Sequence, residues 1–124
     1  MSLATELEKQ IPRLRRFARA ATADADLADA CLERALEGLL DDPMPSSAEQ
    51  DLSNQVRLYR AVEQILEAEA QGSFQKQAWR ALILVFVEEF SVHEAGSILG
   101  VDAGTVRKMV ESAEHQVRDR LKQC

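Results

Sequence analysis

Turn-forming residues are sparse in this sequence: five glycines and three prolines in 124 residues. No stretch alternates β-branched and polar residues, so a sandwich or barrel is not expected and the chain reads as all-α. Cysteine is as scarce. Cys31 falls inside a helical pattern and Cys124 is the last residue, a spacing that suits neither a zinc site nor a disulfide framework and fits a reducing compartment. No metal and no cofactor are expected. The opening MSLATELEKQ lacks an apolar signal core, and no apolar run approaches membrane-spanning length. The chain is therefore expected to be cytoplasmic, with no membrane partner. His93 and His115 lie in different helical segments, and no nucleophile–base–acid grouping or phosphate loop accompanies them. An enzyme is not expected. An apolar fraction of 46% excludes a disordered chain.

Charge is unevenly spread. The net charge of −6 lacks the cationic footprint that phosphate binding needs. Residues 1–22 hold five basic and two acidic side chains, residues 23–72 three and twelve, and residues 73–124 seven of each. An acidic block thus lies between a basic start and a neutral end.

The apolar spacing predicts a helix over 3–21 carrying Leu3, Leu7, Ile11, Leu14 and Phe17, with Arg13, Arg15, Arg16 and Arg19 on its exposed side. Pro12 should kink it or start a second helix. A second helix runs to residue 40, capped by Thr22 or Asp24, with Leu27, Cys31, Leu32, Leu36 and Leu39 as its buried stripe. The loop 41–50 ends in Ser46 with Glu49, or Ser47 with Gln50, as a capping box for a third helix through Leu52, Val56, Tyr59, Val62 and Leu66. Residues 67–73 read as a linker. A fourth helix, 74–90, contains the run 81–87, apolar all round and expected to be the buried axis of a second lobe. The expected organisation is therefore two small helical lobes, 1–72 and 73–124.

The second lobe carries the most specific pattern. Ser91 with Glu94 forms a capping box, Gly100 ends the helix it starts, Val101 plugs the turn, and Asp102 caps a helix to about Leu121. Ala95, Leu99, Val101, Val106 and Met109 take the inward positions of a helix-turn-helix, and Gly96 is the small residue at the helix crossing.

The segment EAGSILGVDAGTVRKMV, residues 94–110, is similar to the −35-reading lobe of extracytoplasmic-function sigma factors. PRLRRFARAATADADLADACLERALEGL, residues 12–39, resembles the start of their −10 lobe. The opening MSL, PRLRRFARA at 12–20, VRLYR at 56–60 and RALILVFVEEFSVHEAGSILGVD at 80–102 together resemble the sigma-like domain of PhyR-type general stress regulators, along nearly the whole chain. The resemblance implies lobes like sigma regions 2 and 4. It also implies a mimic that binds an anti-sigma factor of the NepR type and so frees the true sigma factor. A C-terminal phosphorylatable receiver domain accompanies such a domain in that family; no receiver pattern is present in these 124 residues.

Three features favour the mimic over its alternative, a minimal sigma factor or DNA-binding regulator. The helix from Asp102 has no net charge: Arg107 and Lys108 are the residues for a DNA contact, and Glu111 and Glu114 would repel phosphates. Tyr59 is the one aromatic where a strand-melting lobe needs several, and it lies on the apolar stripe. Seven linker residues reach about 24 Å, whereas the two promoter elements lie more than one DNA turn of roughly 34 Å apart. The expected contacts for an amphipathic anti-sigma factor are the apolar edges at Leu14, Phe17, Leu36, Leu40, Val106 and Val110, rimmed by Asp24, Asp26 and Asp29.

Overall fold

The computed structural model describes residues 3–42, 44–70 and 74–122. Among the described residues there are six α-helices and no strand: α1 Leu3–Thr22, α2 Ala25–Asp41, α3 Asn54–Ala70, α4 Phe74–Leu82, α5 Val92–Leu99 and α6 Ala103–Lys122. A 3₁₀ turn, Ser47–Glu49, precedes α3, and a π-helical turn, Ile83–Val87, prolongs α4.

The helix ends obey local hydrogen-bond chemistry. α1 passes through Pro12 with no second start there. Thr22 closes α1, donating its hydroxyl to the Ala18 carbonyl at 2.9 Å. The cap of α2 is Asp24, whose carboxylate accepts from the Asp26 and Leu27 amides at 3.0 and 3.1 Å. The expected start of α3 is corrected. Ser46 and Glu49 bond to each other, but they shape only the 3₁₀ turn. Ser53 caps α3 instead, accepting from the Val56 amide at 3.1 Å.

Residues 67–70, expected in the linker, are helical, because α3 continues to Ala70; the expected boundary at 72/73 lies outside the described residues. The apolar run 81–87 does not lie buried along its length. Ala81, Ile83 and Leu84 are buried, whereas Phe86 and Val87 are 61% and 51% exposed. The π turn is the reason: its i→i−5 bond, Glu88 N–H to Ile83 carbonyl at 3.0 Å, adds a residue to the turn and rotates the later side chains off the apolar face.

The α5–α6 turn matches its sequence closely. Ser91 and Glu94 bond reciprocally at 3.1 Å, Gly100 takes the left-handed conformation at φ 75°, and Asp102 accepts from the Thr105 amide at 2.6 Å. Gly96 is buried against this turn, where an added Cβ would stand 2.6 Å from the Val101 carbonyl oxygen. Ala95, Leu99, Val106 and Met109 are buried and Val101 is half-buried.

One continuous core serves both halves. Leu14, Phe17, Leu58, Tyr59 and Val62 from α1 and α3 join Leu84, Phe90, Ile98 and Met109 from the second half. α3 packs on α5, and α1 on the π turn and α4. The two helical halves are closed on each other, and a seam runs between them.

Candidate functional site

Polar chemistry concentrates in that seam. Glu88, just after the π turn, points its carboxylate into it with the side chain fully buried. Arg16 grips it with two bonds, Nε to Oε2 at 2.9 Å and Nη2 to Oε1 at 3.0 Å. The Tyr59 hydroxyl donates to Oε1 at 2.5 Å. Arg13 stands 3.9 Å from the same carboxylate and donates to the Glu88 carbonyl at 3.0 Å. Hydrogen bonds of this charge-assisted kind are about twice as strong as neutral ones. Tyr59 is packed between Phe17 at 5.5 Å and Phe90 at 4.8 Å, the latter edge-on. Burial, then its bond to Glu88, holds the Tyr59 phenol well above the ordinary tyrosine range. The bond to Glu88 likewise raises the Arg16 guanidinium.

A second buried pair lies further along the same seam. Arg80 of α4 donates to Glu63 of α3 at 2.5 and 3.1 Å, and also bonds Glu67. Burial pushes the Glu63 carboxyl up to about 7, against the lowering effect of Arg80. Arg60 reaches the Ser97 carbonyl of α5 at 2.7 Å, and Trp79 donates its indole N–H to the Ala20 carbonyl at 3.1 Å. None of these partners is near another in sequence.

The residues expected to form the partner's contact separate into two groups. Leu14, Phe17, Val106 and Val110 are not apolar edges; all four are buried in the core, the last two on α6, which packs on α4 and α5. Leu36 and Leu40 do line an open groove between α1 and α2, together with Ile11 and Leu32. Leu40 is 62% exposed. Arg15, Asp29, Glu33 and Glu37 rim this groove, which lies within the first half and not between the lobes, where the rim was expected. Asp24 and Asp26 are exposed at the start of α2 but do not line the groove. Leu27, assigned to the buried stripe, is 40% exposed.

A second groove escaped the sequence reading. Ala21, Lys76, Trp79, Ala113, Gln116, Val117 and Arg120 surround it, bringing together α1, α4 and α6. Trp79 forms an exposed apolar floor fixed by its bond to Ala20. The signal available in the sequence was its single tryptophan, placed beside the Ala78–Ala81 stripe rather than on it. Glu88 was also missed; its only mark in the sequence is a carboxylate between Val87 and Phe90, at the end of an apolar run.

On α6, Arg107, Lys108 and Glu111 are exposed and Glu114 is half-exposed. Arg118 pairs with Glu114 at 3.8 Å, so positive and negative side chains alternate along this surface. Among the described residues no helix is long and apolar enough to cross a membrane, and no group of three His, Cys, Asp or Glu could hold a metal ion.

Two family models match the chain: the sigma2 domain of PhyR over residues 7–63, and the sigma-like domain of the response regulator PhyR over residues 76–120. The phyllosphere-induced regulator PhyR of Methylorubrum extorquens is 30% identical over 132 residues, covering 94% of this chain and 49% of the relative. Among solved structures, the anti-anti-sigma factor PhyR of Bartonella quintana, complexed with the anti-sigma factor NepR, superposes with a TM-score of 0.80. It is 28% identical, over 96% of this chain and 50% of that one. The response regulator PhyR of Brucella abortus gives a TM-score of 0.77 at 31% identity, over 94% of this chain and 45% of that one. The chain thus spans about half the length of these relatives. The six helices among the described residues, their shared core and the family matches in both halves agree, and the chain belongs to the family of PhyR sigma-like domains.

Proposed function

We propose that this domain is a sigma-factor mimic: it binds a small helical anti-sigma factor of the NepR type and so frees the true sigma factor. The observation that carries this reading is the α1–α2 groove. Its floor of Ile11, Leu32, Leu36 and Leu40 and its rim of Asp29, Glu33 and Glu37 suit the apolar face of an amphipathic helix flanked by basic residues. The likeness to a PhyR that is complexed with NepR supports it. Leu36, Leu40 and Asp29 are the contacts available in the closed form. Leu14 and Phe17 would join them only where the halves part, and Val106 and Val110 only where the packing of α6 on α4 and α5 opens as well, while Asp24 and Asp26 act at longer range by attracting a basic partner.

The role is binding, not catalysis, and the domain acts in the cytoplasm, where sigma factors work. DNA reading is the competing outcome: Arg107 and Lys108 are placed for it, but they share their helix face with Glu111.

The test is a competition among an immobilised NepR-type anti-sigma factor, its labelled sigma factor and this protein. The sigma factor should be displaced, Leu40→Asp should weaken the displacement, and Arg107→Ala should leave it unchanged. No displacement at high micromolar concentration, with specific promoter DNA binding lost in Arg107→Ala, would favour the minimal sigma factor instead.

A further inference from the structure

Four observations meet in the segment 83–89. It opens with a π-helical turn, a geometry common at functional positions. It contains Glu89 at φ 63°, a left-handed conformation that a side chain other than glycine resists. It leaves Phe86 and Val87 in solvent while the next residue, Glu88, is fully buried. Every residue that grips the Glu88 carboxylate comes from the other half of the molecule: Arg13 and Arg16 from α1, Tyr59 from α3. Backbone strain persists where the surroundings over-determine it, and here the over-determining contact is a single carboxylate.

We propose that Glu88 is a latch: its bonds to Arg16 and Tyr59 hold the two helical halves in the closed arrangement while keeping segment 83–89 strained, and its withdrawal opens the seam. The energetics favour a two-state device over a gradual one. A buried carboxylate keeps its partners or leaves for water, because a half-satisfied position in the low-dielectric interior is the costliest of all. On withdrawal the π turn and the left-handed Glu89 are both free to relax, so strain offsets part of the loss of contacts. Opening would uncover Leu14, Phe17 and Tyr59 on one side, and Leu84 and Phe90 on the other. This apolar seam is what an amphipathic partner would enter; only that last step rests on the function proposed above.

The sequence supplies its own reporters, one tyrosine and one tryptophan. Tyr59 touches Glu88 directly, and Trp79 is tied across the halves to Ala20. In the wild-type chain, absorbance titration should show Tyr59 ionising well above the ordinary value of about 10. Glu88→Gln removes the charge at nearly constant volume. With helical circular dichroism retained, Tyr59 should then titrate near the ordinary value and Trp79 emission should shift to the red. Glu89→Gly should act in the opposite sense: glycine accepts φ 63° without strain, so the closed form gains, and acrylamide should quench Trp79 less than in wild type.

Losing the Glu88 charge lowers the Tyr59 value by itself, so Trp79 decides: if Glu88→Gln keeps its helicity and Trp79 emission is unchanged, the latch is refuted. If Glu88→Gln loses its helicity altogether, Glu89→Gly decides, and unchanged quenching in that variant refutes the latch as well. Association with a NepR-type protein adds a separate arm: roughly tenfold tighter for Glu88→Gln and weaker for Glu89→Gly, as expected when the open form adds the seam to the α1–α2 groove and so binds more tightly than the closed one. Both reporters respond in the chain alone. Failure of the wild type to bind any anti-sigma factor would therefore sink the functional reading without touching the latch.

Discussion

Four arginines on α1 fall into two pairs that look alike from their own side. Arg15 and Arg19 both reach Asp29 of α2, at 3.2 Å, within the first half of the molecule. Arg13 and Arg16 both reach Glu88, across the seam. The four side chains are similarly exposed, between 37% and 53%. Their acceptors are not: Asp29 is 40% exposed and Glu88 is wholly buried. A pair in water contributes little, because solvent and salt compete for both charges. Removing the partner of a buried carboxylate strands a charge away from water and is costly. What a surface arginine is worth is therefore set by the solvent access of its acceptor, and helix position alone does not reveal it.

The sharpest way to extend the comparison is to bury both partners. Arg80 and Glu63 are each 3% exposed, so Arg80→Met should give the largest effect, a destabilisation of about 3–5 kcal/mol by chemical denaturation at pH 8. The loss should shrink at lower pH. Glu63 already titrates at about 7, above its ordinary 4.5, so the folded state holds this proton more tightly than the unfolded chain. Its contribution is full below about 4.5 and fades as pH rises through about 7. Without Arg80 the value climbs further, and at pH 6 the stranded carboxylate is largely neutral. A deficit equal at pH 6 and 8 would mean that Glu63 is not what is stranded.

Arg16→Ala tests the Glu88 side of the comparison directly. Arg13 and Tyr59 remain and Arg16 is itself half-exposed, so the expected loss is smaller, about 2–3 kcal/mol. Tyr59→Phe should cost about 1.5–3 kcal/mol, since it removes one bond to a charged acceptor and little volume. The two losses should not add, because both act on one carboxylate. Additivity within error in a double-mutant cycle would show that Glu88 does not couple them.

The contrast between the pairs also marks how far the sequence is legible. Ser91 with Glu94, Gly100 and Asp102 could be read correctly because each acts on backbone within a few positions of itself. Asp24 and the span of α2 obey the same logic. At the start of α3 the capping box expected at Ser46 shapes only a 3₁₀ turn, and Ser53, which carries no Glu or Gln partner three residues on, caps the helix. The π turn defeated the reading of Phe86 and Val87, since one extra residue in the turn rotates these two side chains out of the core. The Glu88 site lay beyond local reach altogether. Arg16 and Glu88 are 72 positions apart and Tyr59 and Glu88 are 29 apart, and no periodicity pairs an exposed arginine with a distant acid. For the same reason the stripe holding Leu14 and Phe17 could not be assigned in advance to the chain's own core or to a partner.

The smallest expected effect closes the comparison from its other end. Asp29 is held below the ordinary carboxylate value by its bonds to Arg15 and then Arg19. A depressed value means that the contribution is present above the ordinary 3.8 and is lost as pH falls through the depressed one. Water reaches all three side chains, so the sign is firm while the size is small. Asp29→Asn should leave the denaturation midpoint at pH 7 and physiological salt within error of wild type. A difference should emerge only at low ionic strength, where screening weakens, and it should vanish again as pH falls through that depressed value and the wild-type side chain protonates. Arg19→Ala should behave in the same way, and the two losses should not add where they are measurable. A loss for Asp29→Asn comparable to that of Arg16→Ala, unchanged by salt, would overturn the comparison: it would place Asp29 in a site from which water is excluded, and the acceptor's exposure would no longer explain the difference between the two pairs.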